Sequence, residues 1–284
     1  MPVSEGKNSP VPCVLCKGKA FKTFLVCEGF SFVRCKKCGL VQMNPQPEKE
    51  EIIARYSKTY GNDYLSYEIA NEEAFLKLQQ LALKDAKFDD IIKDDKPFSV
   101  LDVGCATGAL IASLREKGMS VSGVEISPCA QYARNERRLD VRSTPLEECG
   151  FPGNSFDVIL ASHLIEHLNN PEIFLEEARR ICKENGYIFI TTPNISGFQA
   201  RLFGAAWRSA IFDHLYLFSK RTLKNLLKRK GFKIEICRTW GGLAAGTAPK
   251  WLKKCADFFA KLFNCGDVMI IRARRLNSEM PSEV

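Results

Sequence analysis

The sequence predicts an α/β fold: a seven-stranded, mostly parallel sheet with helices on both faces, preceded by a small zinc ribbon and a helical lid. Three observations predict it. From residue 98 onward, near-continuous apolar runs alternate with amphipathic stretches that end on glycine, the texture of a parallel sheet covered on both faces. The first run, FSVLDVG, passes into the small-residue turn GCATG and then a helical stretch. Ahead of it all stand two Cys-x-x-Cys pairs. A chain of 284 residues holds one sizeable domain plus an appendage.

In chain order, residues 1–10 are polar and read as disordered. The stretches FKTFLVC and FSFVRC are β-prone and place a ribbon over 11–45, closed by NPQPEKEE. Residues 48–57 and about 66–93 read as helical, the second through Ile69, Phe75, Leu76, Leu78, Leu81, Leu83 and Phe88. Residues 46–97 thus form a helical lid or linker that ends on the breaker DDKP. Strands follow in FSVLDVG, SVSGVEI, LDVRS, SFDVILAS and YIFITTPN. Between them lie the helices ALIASLREKG, Pro128 to about Arg138, and PEIFLEEARRICKENG with a glycine stop. RTLKNLLKRKG is a further helix, and FKIEICRTW and DVMIIRARR supply an antiparallel edge. The large domain spans 98–275, and 276–284 is a disordered tail.

Residues 1–45 carry seven Lys/Arg against two Asp/Glu, and residues 201–284 seventeen against six, within a net charge of +8. Such a balance suits anionic partners as well as a solvated surface. The twelve cysteines are spread through the chain with no export signal ahead of them, so most are expected as reduced core thiols in a cytosolic protein. No apolar run approaches the length of a membrane span.

In VLDVGCATGAL, Gly104, Ala106 and Gly108 form a tight turn between strand and helix, and Glu125 ends the next strand, placed to accept both hydroxyls of a ribose. Two ligands compete. A dinucleotide fingerprint has G-x-G-x-x-G, but here the spacing is G-x-A-x-G with Asp102 two residues before the first glycine. A carboxylate there repels a pyrophosphate and suits a cationic ligand bearing an amino acid group.

VLDVGCATG followed by VSGVEIS, and FPGNSFDVILASHLIEHLNNP after it, resemble the class I S-adenosylmethionine-dependent methyltransferases. The segment FDHLYLFSKRTLKNLLKRKGF resembles the subfamily that includes ubiquinone-biosynthesis O-methyltransferases. The resemblance covers roughly 98–275 and implies a Rossmann-like domain. It places Asp102 near the cofactor amino group, with Gly104, Ala106, Thr107 and Gly108 forming the cradle. Glu125 falls on the ribose, Ile126 against adenine, Leu146 and Glu147 at the adenine edge, and Ser162 and His163 facing the methyl donor. The departure is Ala106, where the family has glycine.

A hydroxyl nucleophile needs a base or metal to take its proton. The three histidines, His163, His167 and His214, are the candidates. In the similar enzymes a Glu-x-x-Glu-His segment binds a divalent metal. Glu166 and His167 match it, whereas His163 replaces the first glutamate. The alternative is that Glu166 and His167 tie the loop together by hydrogen bonds.

Cys13-x₂-Cys16 and Cys35-x₂-Cys38, eighteen residues apart, match a four-thiolate structural zinc site with no open position. Lys17, Lys36 and Lys37 are expected to hold the thiolates deprotonated. RCKKCGLVQMNPQP followed by RYSKTYGNDYLSY resembles methyltransferases of bacterial sugar and polysaccharide pathways. Tyr56, Tyr60, Tyr64 and Tyr67 are candidates to line a lid. Finally, TAPKWLKKCADFFAKLFNCG, 247–266, is a basic amphipathic helix. Its stripe of Trp251, Leu252, Cys255, Phe258, Phe259, Leu262 and Phe263 is expected to pack on the sheet or a partner, with contact to an anionic membrane as the alternative.

The expected activity is methyl transfer from S-adenosylmethionine to a small molecule, a hydroxyl of a sugar or isoprenoid-type acceptor. An RNA methyltransferase using ribbon and basic tail is the second reading, and a non-catalytic cofactor-binding scaffold the third.

Overall fold

The computed structural model describes residues 11–47, 61–92, 97–242 and 249–277. The helix expected over 48–57, Tyr56 and Tyr60, the first ten residues and nearly all of the tail lie outside them.

Strands β1 (Phe21–Cys27), β2 (Phe30–Cys35) and β3 (Val41–Met43) form an antiparallel ribbon. Helix α1 (Gly61–Asp85) follows. The large sheet then alternates with helices: β4 (Ser99–Val103), α2 (Ala109–Glu116), β5 (Ser120–Val124), α3 (Cys129–Arg137), β6 (Val141–Arg142), β7 (Phe156–Ser162), α4 (Pro171–Ile181) and β8 (Cys182–Pro193). After α5 (Phe198–Phe203), β9 (Tyr216–Leu217) and α6 (Lys220–Arg229) come β10 (Phe232–Trp240), α7 (Lys250–Leu262) and β11 (Val268–Arg275).

The seven-stranded sheet has the order β10-β11-β8-β7-β4-β5-β6, parallel except that β11 is inserted antiparallel between β8 and β10. This is the Rossmann-like architecture that the alternation predicts. Its strands are apolar on both faces because helices cover both: Val100, Leu101, Val158, Ile159, Ile188 and Ile190 are all fully buried. Local chemistry sets the helix starts. Asn170 accepts the Glu172 and Ile173 amides ahead of Pro171, and Ser219 and Thr222 form a reciprocal capping box on α6. The parallel order turns the C-terminal ends of β4, β5, β7 and β8 toward one edge, and their loops build the site there.

The ribbon is not a separate bead. The two-residue strand β9 pairs with β3 (Val41↔Leu217, Gln42↔Tyr216), completing a second sheet of order β1-β2-β3-β9. Phe32, Leu40 and Met43 of the ribbon share one hydrophobic cluster with Ile159, Ile165, Trp207 and Phe218 of the large domain. The ribbon therefore stands at the loop edge of the large sheet.

Three expectations change. Helix α4 stops at Ile181, and Cys182–Gly186 joins β8, because Cys182 pairs with Phe156 across the sheet. On α1, Ile69, Leu78 and Leu81 are exposed although the periodicity placed them inward. On α7 the apolar stripe faces solvent: Trp251, Phe258, Phe259, Leu262 and Phe263 are exposed, as is Cys255. Polar anchors place the helix instead. Lys261 pairs with Asp85 at 2.7 Å, and Asp257 accepts the Gly242 amide at 2.7 Å. Among the described residues no helix is long and apolar enough to cross a membrane.

Candidate cofactor and acceptor site

The turn after β4 is built for close approach. Gly104 and Gly108 have φ values of 77° and 76°, and a Cβ on Gly108 would lie 2.5 Å from Leu139 Cδ1. Ala106 also sits in the left-handed region, at φ 47°, which explains on steric grounds why glycine is favoured there. Its amide donates to Glu125 Oε2 at 3.0 Å, and the Ser127 amide donates to Oε1 at 2.8 Å. The two amides fix the Glu125 carboxylate at the end of β5, and each oxygen keeps a second lone pair. Thr107 gives its hydroxyl to Glu72 of α1 at 2.6 Å.

Asp102, 1% exposed, has no hydrogen-bond partner for either carboxylate oxygen. Burial, with the Glu125 charge adding to it, pushes its carboxyl up to about 8. A buried acid without partners beside a glycine cradle has the chemistry of a receptor for a cation.

Helix α1 covers this cleft. Glu72 also pairs with Arg137 Nη2 at 2.5 Å, and Arg137 Nε donates to the Thr107 carbonyl at 2.9 Å. Burial and the Glu125 charge push the Tyr64 phenol up, and the same two influences raise Glu68. Tyr64, Glu68 and Glu72 repeat every four residues, so they share one face. That spacing was the available signal for Glu68 and Glu72, which sequence reasoning did not single out. Tyr67 is exposed and turns along the helix to Phe75. Ile126 is exposed beside Glu125, Leu146 is buried in the main core, Glu147 projects outward, and Ser162 is half-buried at the end of β7.

The loop after β7 gathers all three histidines around one acid. Glu166 is fully buried and accepts Thr192 Oγ1 at 2.9 Å. Burial alone would raise its pKa, but His163, then His167 and His214, hold the carboxyl down to about 2. His163, at φ 51°, places Nδ1 3.3 Å from Glu166 Oε1 with its side chain half exposed. The His167 and His214 rings lie 4.7 Å apart, and their Nδ1 atoms face the carbonyls of Asp213 (2.9 Å) and Ser209 (2.8 Å). A carbonyl only accepts, so Nδ1 carries the proton and Nε2 the lone pair in each neutral ring. Burial, reinforced by His167, lowers the His214 pKa to about 4, so it is neutral at pH 7. Glu166, His167 and His214 offer ligand atoms within 4.8 Å of one another. His214 comes from a distant loop, so the sequence showed only two of these three donors together.

A family model described as "Methyltransferase domain" matches residues 67–235, more than half of the chain. The chain belongs to the methyltransferase-domain family. The mitochondrial ubiquinone biosynthesis O-methyltransferase of Rattus norvegicus is 36% identical over 112 residues, covering 35% of this chain and 32% of that protein. The Azorhizobium caulinodans ubiquinone biosynthesis O-methyltransferase is 32% identical over 120 residues, covering 39% of this chain and 47% of that one. The match thus spans less than half of either relative. A Thermotoga maritima structure described as an S-adenosylmethionine-dependent methyltransferase, possible histamine N-methyltransferase, shares the fold (TM-score 0.55, 22% identity, 76% of this chain and 100% of that one).

In this chain the four N-terminal cysteines also meet. Cys13 Sγ lies 3.4 Å from Cys38 Sγ, and Cys16 Sγ lies 3.4 Å from Cys35 Sγ, with all four within 4.8 Å. Zn–S bonds of about 2.3 Å in a tetrahedron need sulfurs roughly 3.8 Å apart, so the cluster fits that ion. Burial raises the Cys13 thiol and brings Cys38 to about 11, whereas the Cys38 and Lys37 amides overcome burial and lower Cys35 to about 7. Lys17 does less than expected: it reaches away to Glu172 and the Val14 carbonyl, and backbone amides lower Cys35.

The Asp102 environment gives a prediction for this member of the methyltransferase-domain family. Its raised pKa means that the free protein holds the proton at pH 7, and a bound ammonium group would expel it. Calorimetric titration with S-adenosylmethionine in buffers of differing ionisation enthalpy should therefore show release of close to one proton at pH 7, shrinking as pH rises through 8. Asp102→Asn should abolish the effect. A buffer-independent enthalpy at pH 7 would remove Asp102 from the amino-group site.

Proposed function

We propose that the chain transfers a methyl group from S-adenosylmethionine to a hydroxyl of a small molecule, of the sugar or isoprenoid-type class, and that the cysteine cluster holds a structural zinc ion. The observation that carries the reading is the orphaned, buried Asp102 beside a Glu125 carboxylate fixed by two amides. Asp102, Gly104, Gly108 and Glu125 would hold the cofactor, with Ile126 and Ser162 nearby. Bound S-adenosylmethionine supplies a methyl on a sulfonium centre. The protein's tasks are to align the acceptor with that methyl, exclude water and take the hydroxyl proton.

Helix α1, pinned through Glu72 to Thr107 and Arg137, supports the exclusion of water. For the proton, His214 presents a neutral Nε2, and buried Glu166 stabilises the imidazolium that forms. The same donors, two imidazoles and a carboxylate, suit a divalent transition metal better than Mg²⁺, which prefers oxygen ligands. Such an ion would be held by Glu166, His167 and His214 and would acidify the acceptor hydroxyl. The RNA reading is weaker, because β9 and the shared core hold the ribbon against the loop edge, as a wall of the acceptor site. Both named relatives are O-methyltransferases, which supports oxygen as the acceptor atom.

Incubation with methyl-labelled cofactor and fractionated cell extract should put label in small-molecule fractions and none in RNA. Glu166→Gln, which removes the charge that stabilises the protonated histidine, should lower kcat by about 100-fold, the low end of what general acid–base catalysis contributes, with cofactor affinity retained. Chelator treatment that reproduces the loss, with one zinc per chain and the S-adenosylmethionine affinity retained, would select the metal over the free base. Label confined to RNA, or an unchanged kcat in Glu166→Gln, would overturn the corresponding part of this reading.

A further inference from the structure

Between the ribbon and the large domain lies a cavity of about 580 Å³. Three arginines from three distant parts of the chain line it: Arg34 on β2, Arg201 on α5 and Arg221 on α6. Among the described residues no Asp or Glu lines it. Other arginines have protein acceptors: Arg137, Arg180, Arg208, Arg272 and Arg274 pair with carboxylates, and Arg115, Arg134, Arg142 and Arg275 donate to backbone carbonyls. Among the described residues Arg34, Arg201 and Arg221 have no such partner. Arg34 is instead stacked with Cζ 4.1 Å from the centre of the Phe24 ring. Stacking fixes the guanidinium plane and leaves its in-plane N–H donors for a ligand.

A further feature points to an anion. The N-terminal end of α6 opens on the cavity, with Ser219, Arg221 and Thr222 in its wall, and that end of a ten-residue helix favours negative charge. Ile195 and Ser196, also in the wall, lie two and three residues past the end of β8. The cavity therefore lies on the sheet edge where the turn after β4 and Glu125 stand, the edge an acceptor must approach. A single carboxylate needs one guanidinium fork. Three unpaired forks match the several oxygens of a phosphoryl group, and the volume suits an ester of mononucleotide size.

We propose that this cavity binds a phosphate or diphosphate ester carried by the methyl acceptor. Seated between ribbon and domain, the anionic group would anchor the acceptor while its hydroxyl end extends toward Ser162 and His163. The inference rests on the small-molecule methyltransferase reading, and it makes the ribbon, through Arg34, part of the recognition surface.

The test is calorimetry on the full chain with its zinc, at low ionic strength, using inorganic pyrophosphate as the probe. The wild type should show saturable one-to-one binding. Arg34→Gln/Arg201→Gln/Arg221→Gln should weaken it by at least about tenfold, as expected for loss of charge-assisted contacts. S-adenosylmethionine affinity of the same variant should stay unchanged, which also reports that it is folded. Absent or non-saturable pyrophosphate binding, or equal binding by both proteins, would overturn the proposal. So would a single-stranded RNA oligomer that binds more tightly than pyrophosphate and loses that affinity in the variant. Failure of the wild type to bind S-adenosylmethionine would count against the methyltransferase reading, and the pyrophosphate result reads the cavity independently of it.

Discussion

Replacement of Glu125 by alanine is expected to weaken S-adenosylmethionine binding by about 100-fold or more, read as Kd by calorimetry. The carboxylate is 7% exposed, and each oxygen already accepts one backbone amide, from Ala106 and from Ser127. Ribose hydroxyls would take the remaining lone pairs. Hydrogen bonds to a charged group contribute about 1.5–3 kcal/mol each, so losing two costs at least a hundredfold. The variant also releases the Ala106 amide, whose residue is held in the left-handed region. Glu125→Gln keeps an acceptor oxygen and should lose less. Because the Glu125 charge helps to raise the Asp102 pKa, Glu125→Ala should also reduce the proton release at pH 7. An unchanged Kd in Glu125→Ala would displace the cofactor from this cleft.

Cys35→Ser is expected to take the zinc content from one per chain to none and to lower stability by more than about 3 kcal/mol, in line with loss of a structural metal. The effect should extend past the ribbon. Phe32, Leu40 and Met43 share a cluster with Trp207 and Phe218, and β9 completes the ribbon's sheet. A thermal melt should shift as a whole, and S-adenosylmethionine binding should weaken with it. Metal analysis and melting together decide the point. A folded wild-type preparation with no zinc would refute the structural role, and an unchanged melt in Cys35→Ser would show that the ribbon is not coupled to the domain.

Local signals carried much of this. The alternation of apolar runs with glycine-terminated helices predicts the parallel sheet because strand and helix periods are set by a few neighbouring residues. The turn from Gly104 to Gly108 and the acid at 125 are readable for the same reason: strand, turn, helix and strand end are contiguous. The α4 boundary was misplaced because local propensity continued the helix through Cys182, whereas pairing with Phe156 captured it for the sheet. Periodicity shows that the α7 face is apolar without saying what lies against it, and here it lies off the sheet. Lys261 and Asp257 orient the helix through polar contacts.

By itself the sequence determined the α/β class, the glycine turn with its acid at 125, the cysteine quartet and two of the three donors Glu166, His167 and His214. Each is a short-range pattern, fixed by residues within one or two elements of each other. Only the tertiary structure decided that His214 joins Glu166 and His167, that a two-residue strand welds the ribbon to the domain, that Lys17 serves Glu172, and that Arg34, Arg201 and Arg221 face one cavity. These depend on chain segments dozens to nearly two hundred residues apart. What brings such segments together is the burial of a common core and the closing of two sheets, a property of the whole chain that no local spacing records.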